Sequence, residues 1–308
     1  MSRGVFIVGI FVTDLTFRAA RMPVLGETIA GSAFKMGPGG KGSNQAVAAA
    51  RAGARVTFCT RLGNDAFGRI ALDTWKAEGI ETRVKMLDDV ATGAAHIFVD
   101  EVDGKNAIIV ASGAAATMAP SDIDAVEADI AASAVFVTQL EQPLDVARRG
   151  LELARKHKVV TVFNPAPAVP VDDAIYPLCD YITPNETEAA ALTGIEVNSV
   201  PDARRAAEAL LAKGVGAAII TLGEAGALFH SKDHSELVPS FRCGAVVETA
   251  GAGDGFTGGF AASLANGDDP LQAVRFGCAL ASLSVTRAGT APSMPTLAEI
   301  NAVLAVSA

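Results

Sequence analysis

Residues 245–256 read AVVETAGAGDGF, and this stretch decides the fold. Ala245–Val247 has the apolar character of a strand end. Gly251, Ala252 and Gly253 form a turn with almost no side chain, and a helical pattern then runs to about Asn266. Strand, glycine turn and helix make one unit of an α/β sheet, and the turn leaves the first N–H groups of the helix unpaired. Those donors, from Gly251 to Asp254, form an anion site. A carboxylate inside an anion site is a poor way simply to hold phosphate. It makes sense if Asp254 takes a proton from a hydroxyl while the amides hold a phosphoryl group in transfer. The same residues also read as a plain glycine turn with an aspartate in the first helical turn. Gly253–Gly258 matches G-x-G-x-x-G too, but it lies far from the first strand and carries an acid inside the turn, unlike a dinucleotide fingerprint.

Outward from this unit, apolar runs of strand length alternate with helical patterns. Strands are expected at Val5–Ile10, Val56–Thr60, Ala134–Leu140, Val159–Asn164, Tyr181–Pro184 and Ala217–Leu222. Helices are expected at Asn44–Ala52, Asp65–Glu78, Leu144–Lys156, Glu186–Leu192, Pro201–Lys213 and Leu297–Val306. The strands are continuously apolar rather than alternating. Both faces of the sheet are therefore covered, which implies a doubly wound, mostly parallel α/β fold. Two stretches interrupt the rhythm. Leu15–Lys35 is rich in turn formers and short β pieces, and Ala95–Asp100 with Asn106–Val110 reads as a hairpin across Asp103-Gly104. Residues 11–36 and 93–111 are thus expected to form a small β lid. Residues 1–10, 37–92 and 112–308 form the α/β domain, whose ligand edge is the C-terminal ends of its strands.

Three more segments carry chemistry. Gly39-Gly40-Lys41-Gly42-Ser43-Asn44 leads into a helix but is not a Walker A loop, because Gly42 follows the lysine. Its glycines let a sugar sit against backbone, with Lys41 and Asn44 as directional donors; it also reads as a tight turn with an N-cap. Pro184-Asn185-Glu186-Thr187-Glu188 puts Asn185 and Glu188 on one face at a helix start, where they could order waters around Mg²⁺ or simply form a capping box. Thr221–Gly226 closes a strand at the ligand edge.

Composition narrows the partners. The chain has 308 residues, a formal net charge of −9 and no basic block, which argues against nucleic acid. Cys59, Cys179, Cys243 and Cys278 form no C-x-x-C and read as reduced thiols. His230 and His234 flank a turn rather than sharing a helix face, so no metal is expected there. Gly4–Thr13 reads as a buried first strand, not a signal peptide, and no apolar run reaches the roughly 18 residues of a membrane span. A soluble cytoplasmic protein is expected.

In this order, the four segments resemble the ribokinase family of PfkB-type sugar kinases, over essentially the whole chain. The resemblance implies a ribokinase-like fold and transfer of the ATP γ-phosphate to the 5-hydroxyl of a pentose. D-ribose is the first expectation and 2-deoxy-D-ribose the next, ahead of another small sugar or a nucleoside. A non-catalytic sugar-binding regulator is the rival of a different class. By resemblance, Asp254 is the catalytic base and Gly251, Ala252 and Gly253 the anion hole. Asp14, Gly40, Lys41, Asn44 and Glu141 contact the sugar. Asn185, Thr221, Gly223, Glu224, Gly226, Gly253 and Cys278 lie at the ATP site, and Glu188 acts on Mg²⁺ through water. K⁺ or another monovalent cation would sit near Glu248, Ala250, Ser284, Arg287, Gly289 and Ser293, and the lid would serve a homodimer. Three positions depart from the family pattern. Val12 stands where ribokinases have an asparagine that bonds a sugar hydroxyl, and 2-deoxyribose kinases are apolar there. Glu248 replaces an aspartate at the cation site. Cys278 replaces a histidine or asparagine near the nucleotide.

Overall fold

The computed structural model describes residues 4–306. Its strands are β1 (Val5–Val8), β2 (Val12–Ala19), β3 (Ala33–Gly39), β4 (Val56–Gly63), β5 (Glu81–Leu87), β6 (Thr92–Asp100) and β7 (Asn106–Gly113). Then follow β8 (Val135–Thr138), β9 (Val160–Phe163), β10 (Tyr181–Ile182), β11 (Ala217–Thr221), β12 (Ala227–Ser231) and β13 (Ser235–Val238). Nine of them form one sheet in the order β13-β12-β11-β10-β9-β8-β1-β4-β5. From β5 to β11 every pairing is parallel, and β12 and β13 add an antiparallel edge.

The continuous apolar runs explain this sheet. Val5 and Ile7 of β1 enter one buried cluster, whereas Phe6 and Val8 enter another on the opposite face. Val137 and Phe136 of β8 divide in the same way. A strand buried on both sides has no reason to alternate with polar residues. Helices Lys41–Arg51, Ala252–Asn266 and Pro270–Ser284 cover the first face, and Leu144–Lys156 and Val200–Ala212 the second. Helices Lys41–Arg51 and Ala252–Asn266 pack very closely: a Cβ on Gly258 would lie 2.6 Å from both Ala48 Cβ and Gln45 O. This contact sets the distance between the two segments that carry the chemistry.

The chain runs from β1 outward to β4 and β5, then crosses back to β8 on the other side of β1. Strand order reverses at that point, and the crevice beyond the strand ends there is the ligand position of an open α/β sheet. The second sheet, in the order β3-β2-β6-β7, stands over it. β2 pairs antiparallel with β3 and parallel with β6, and β6 pairs antiparallel with β7.

Two expectations need correction. The first strand stops at Val8, not Ile10, because Ile10 already turns toward the second sheet and packs with Val12, Ala95 and Ala115. Ala245–Val247 is not a strand. It has no strand edge to pair with; the Val247 N–H donates to Val285 O at 2.8 Å, and Val246 and Val247 line an open cleft. Their apolar character belongs to the cleft wall. Among the described residues no helix is long and apolar enough to cross a membrane.

Candidate active site

The site forms where four strand ends and two helix starts converge. Gly40 begins helix Lys41–Arg51 at φ 87°, and a Cβ there would lie 2.7 Å from Ile10 O. A Cβ on Gly39 would lie 2.2 Å from Asp14 Oδ1. The glycines therefore let the Asp14 carboxylate of β2 rest directly on the backbone that leads into the helix. Lys41 N–H donates to Glu141 Oε2 at 2.7 Å, which brings the segment after β8 into the same site.

Asp254 lies in the first turn of helix Ala252–Asn266, behind Gly251 at φ 79°, and is 6 % exposed. Asn44 Nδ2 donates to its Oδ2 at 2.9 Å, and Gln45 Nε2 to its Oδ1 at 3.3 Å. Gln45 Nε2 also reaches Asn164 Oδ1 at 3.0 Å, Asn164 Nδ2 donates to Thr183 O at 2.8 Å, and Gln139 Nε2 donates to Gln45 Oε1 at 2.5 Å. The carboxylate is thus held by a relay anchored at the ends of β8, β9 and β10. Asn44-Gln45, two amides inside an otherwise alanine-rich helix, were the legible signal for this relay; Gln139, Asn164 and Thr183 had none.

Of the three residues expected to form the anion turn, Gly251 and Gly253 keep a free N–H and Ala252 does not. Ala252 N–H donates to Thr249 O at 3.2 Å and is not free. The N–H groups of Gly251, Gly253 and Asp254 make no hydrogen bond among the described residues, and a Cβ on Gly253 would meet nothing within 4 Å. Three N–H donors without a protein partner therefore stand beside the buried carboxylate, with open space at Gly253, which is the arrangement that stabilises a developing anion.

Charge at the site follows burial. Desolvation raises Asp254 above the ordinary carboxylate range, while Lys41, Asn44 and Gln45 pull it back. Desolvation carries Asp14 up to about 6, with Thr290 opposing and Asp254 and Glu248 adding to the rise. Glu141 is raised to about 7 by burial, against Lys41. Burial pulls Lys41 down, but Asp254, Glu141 and Glu188 together hold its ammonium above the ordinary value. Asp14 and Glu141, whose ordinary values are 3.8 and 4.5, bind protons more tightly folded than unfolded. Their contribution to stability is thus fullest below about pH 4 and is lost as pH rises through 6 and 7. The ligand-free protein is expected to lose urea resistance between pH 5 and 7.5, and Glu141→Gln to flatten that slope. An equal slope in the two proteins would show that Glu141 is not held in this way.

The nucleotide-side residues also meet. Asn185 and Thr221 form a bridge between the segments after β10 and β11, with Thr221 N–H on Pro184 O at 3.0 Å. Asn185 and Glu188 do form a reciprocal capping box, at 2.8 and 2.9 Å, which occupies Glu188 Oε2 and leaves Oε1 without a protein partner. Gly223, Glu224 and Gly226 make the tight turn after β11, with Leu222 N–H on Gly226 O at 2.8 Å. Cys278 is elsewhere in character: it is 4 % exposed in the core, its thiol near Val238 O and pushed up to about 12 by burial. Glu248 Oε2 accepts from Gly289 N–H at 2.7 Å, which joins the two loops beside the anion turn. Ser284 and Ser293 donate to the carbonyls of Ala281 and Thr290, and Arg287 pairs with Glu299 at 2.5 Å. His230 and His234 bond Ser235 and Glu236 separately, and no cluster of three metal-ligating side chains occurs among the described residues. The four cysteines are free thiols.

Known proteins resemble this chain in sequence and fold. A deoxyribokinase from Salmonella typhi is 37% identical over 303 residues, covering 98% of each chain. A ribokinase from Haemophilus influenzae is 40% identical over 275 residues, covering 89% of each. The structure of Arabidopsis thaliana ribokinase complexed with ribose and ATP superposes with a TM-score of 0.92 at 27% identity, covering 99% of both chains. Residues 2–297 match the pattern of the pfkB family carbohydrate kinases. With its buried aspartate beside a free-amide turn at the reversal point of a doubly wound sheet, the chain belongs to the pfkB family and is a sugar kinase.

Proposed function

We propose that this kinase transfers the γ-phosphate of ATP to the 5-hydroxyl of a pentose. One observation carries the reading: Asp254 is buried beside free N–H donors and within one continuous polar site with Asp14, Asn44, Lys41 and Glu141. The sugar lies between Asp14 and Asp254. Asn44 holds Asp254 through Nδ2, and its buried Oδ1 makes no hydrogen bond within the protein. Asp254 takes the proton of the attacking hydroxyl, and its raised proton affinity suits a base. The amides of Gly251 and Gly253 hold charge on the phosphoryl group. Asn185, Thr221, Gly223, Glu224 and Gly226 form the nucleotide side, and Cys278 supports it from the core.

The donor set fits Mg²⁺ bound with ATP: Glu188 Oε1 has no protein partner and can hold water on a cation that keeps most of its waters. Mg²⁺ would offset phosphate charge in transfer. A hard monovalent cation such as K⁺ would be held by Glu248, which already joins Gly289 beside the anion turn, with oxygens of Ala250, Ser284, Arg287, Gly289 and Ser293, and would add positive charge there. The second sheet acts as a lid that excludes water. Its outer face carries Phe17, Phe34, Met36 and Ile109, 41 to 66% exposed, a surface for a homodimer. Use of ATP as the donor supports a cytoplasmic location.

Both pentoses of the relatives, ribose and 2-deoxyribose, suit the site, and Val12 favours the second. It is 3% exposed, packs with Ile10, Ala95 and Ala115, and pairs in register with Gly39 and Gly93 beside the sugar-binding corner. A valine there leaves a 2-hydroxyl unpaired on burial, at about 1–3 kcal/mol. The wild type is expected to have the higher kcat/KM on 2-deoxy-D-ribose. Val12→Asn is expected to shift the ratio toward D-ribose by about tenfold. A ratio unmoved by Val12→Asn removes Val12 as the determinant, and no turnover of either sugar removes the pentose reading.

A further inference from the structure

We infer that Thr290 is a positioning residue for the sugar-binding carboxylate: its hydroxyl holds Asp14 from the opposite wall of the cleft and ties that wall to the anion turn. Thr290 lies in the loop after helix Pro270–Ser284, far in sequence from both partners. Its Oγ1 is 3.2 Å from Pro38 O and 3.5 Å from Asp14 Oδ2, so its one proton is shared between that carbonyl and the carboxylate. No other side chain hydrogen-bonds the Asp14 carboxylate among the described residues. On its other side, a Cβ on Gly251 would lie 3.2 Å from Thr290 Cα and 3.3 Å from its Cβ, so the residue also packs on the turn that begins the anion site. One side chain therefore touches both the carboxylate that holds the sugar and the glycine that sets the phosphoryl donors.

The need for such a residue follows from charge. Asp14 shares the site with the carboxylates of Asp254, Glu248 and Glu141; the Lys41 ammonium there answers Asp254, Glu141 and Glu188, and Lys35 and Arg18 face the same cleft without forming an ion pair with Asp14. A carboxylate among carboxylates turns away or takes up a proton unless a donor fixes it. With Val12 apolar, no donor comes from its own strand on that side. Thr290 supplies one, and it favours the ionised form that accepts sugar hydroxyls.

The test compares Thr290→Val, which keeps the branched shape and loses the hydroxyl, with Thr290→Ser, which keeps the hydroxyl. The kinetic half of the test rests on the pentose reading above. Thr290→Val is expected to raise the KM for the pentose about tenfold while kcat and the KM for ATP stay near wild type. Thr290→Ser restores the pentose KM. In the ligand-free protein, the ¹³C carboxyl signal of Asp14 is expected to titrate near 6, higher in Thr290→Val, and again near wild type in Thr290→Ser. Wild-type KM and titration in Thr290→Val overturn the inference. So does Thr290→Ser behaving as Thr290→Val, which would make the methyl contact the active element. If the wild type turned over no pentose, the substrate reading would fail, and the carboxyl titration, which needs no substrate, would still decide the inference.

Discussion

Asp254→Asn is expected to lower kcat by 10²–10⁴, about the range that a positioned base contributes, with the KM for ATP and sugar within a few-fold of wild type. The asparagine keeps the shape of the side chain and its place in the first helical turn, and the free amides of Gly251 and Gly253 remain. What it loses is the ability to take a proton and one of the two oxygens that accept from Asn44 and Gln45. Burial is the main reason that Asp254 is raised, so a neutral amide there relieves a desolvation cost. The variant is therefore expected to resist urea at pH 7.5 about as well as the wild type, the relieved desolvation offsetting the lost amide bond. This separates a missing base from a broken fold: low activity with lower stability would point to packing instead. Turnover at the wild-type rate would remove Asp254 from the chemistry altogether.

Asp14→Ala is expected to act mainly on the sugar. The carboxylate sits against Gly39, where any side chain would collide with it, and it faces the cleft from β2. Two hydroxyl bonds to a charged acceptor, at about 1.5–3 kcal/mol each, correspond to a loss in kcat/KM of at least about a hundredfold. The loss should fall on the sugar KM more than on kcat, and the KM for ATP should stay unchanged. Removing Asp14 also removes a like charge from beside Asp254. A variant with an unchanged sugar KM would show that the pentose binds elsewhere in the crevice.

Much of the architecture was legible because its cause is local. β1, β8 and β11 are apolar on both faces, so a parallel, covered sheet followed from composition alone. Asp103-Gly104 marked the β6–β7 turn, where Gly104 takes φ 72°. The helix Pro270–Ser284 was missed although Asp269 and Gln272 carry a capping-box signature at its start. Other features have causes that no window of sequence holds. Val246 and Val247 look like a strand because a cleft wall and a sheet interior ask for the same residues. The parallel pairing of β2 with β6 joins two insertions that each read as separate excursions.

The site divides in the same way. Asp254, Asn44 and Lys41 stand in glycine-rich segments whose spacing advertises them. Asn164 meets Gln45 across 119 positions and Gln139 meets it across 94, so only the closed sheet shows that they hold the base. The turn alone does not reveal that Thr249 O takes the Ala252 N–H. The Glu248 carboxylate, one methylene longer than the family's aspartate, reaches the Gly289 amide, a contact that depends on where the loop after helix Pro270–Ser284 lies.

The most direct test of the central claim follows the product rather than the nucleotide alone. The protein, MgATP, KCl and 2-deoxy-D-ribose or D-ribose are incubated together, and the mixture is read by ³¹P NMR. One ADP is expected for each sugar consumed, with a new phosphomonoester signal split by the C5 protons. ADP accompanied only by inorganic phosphate, or a phosphate attached at another carbon, would contradict that claim.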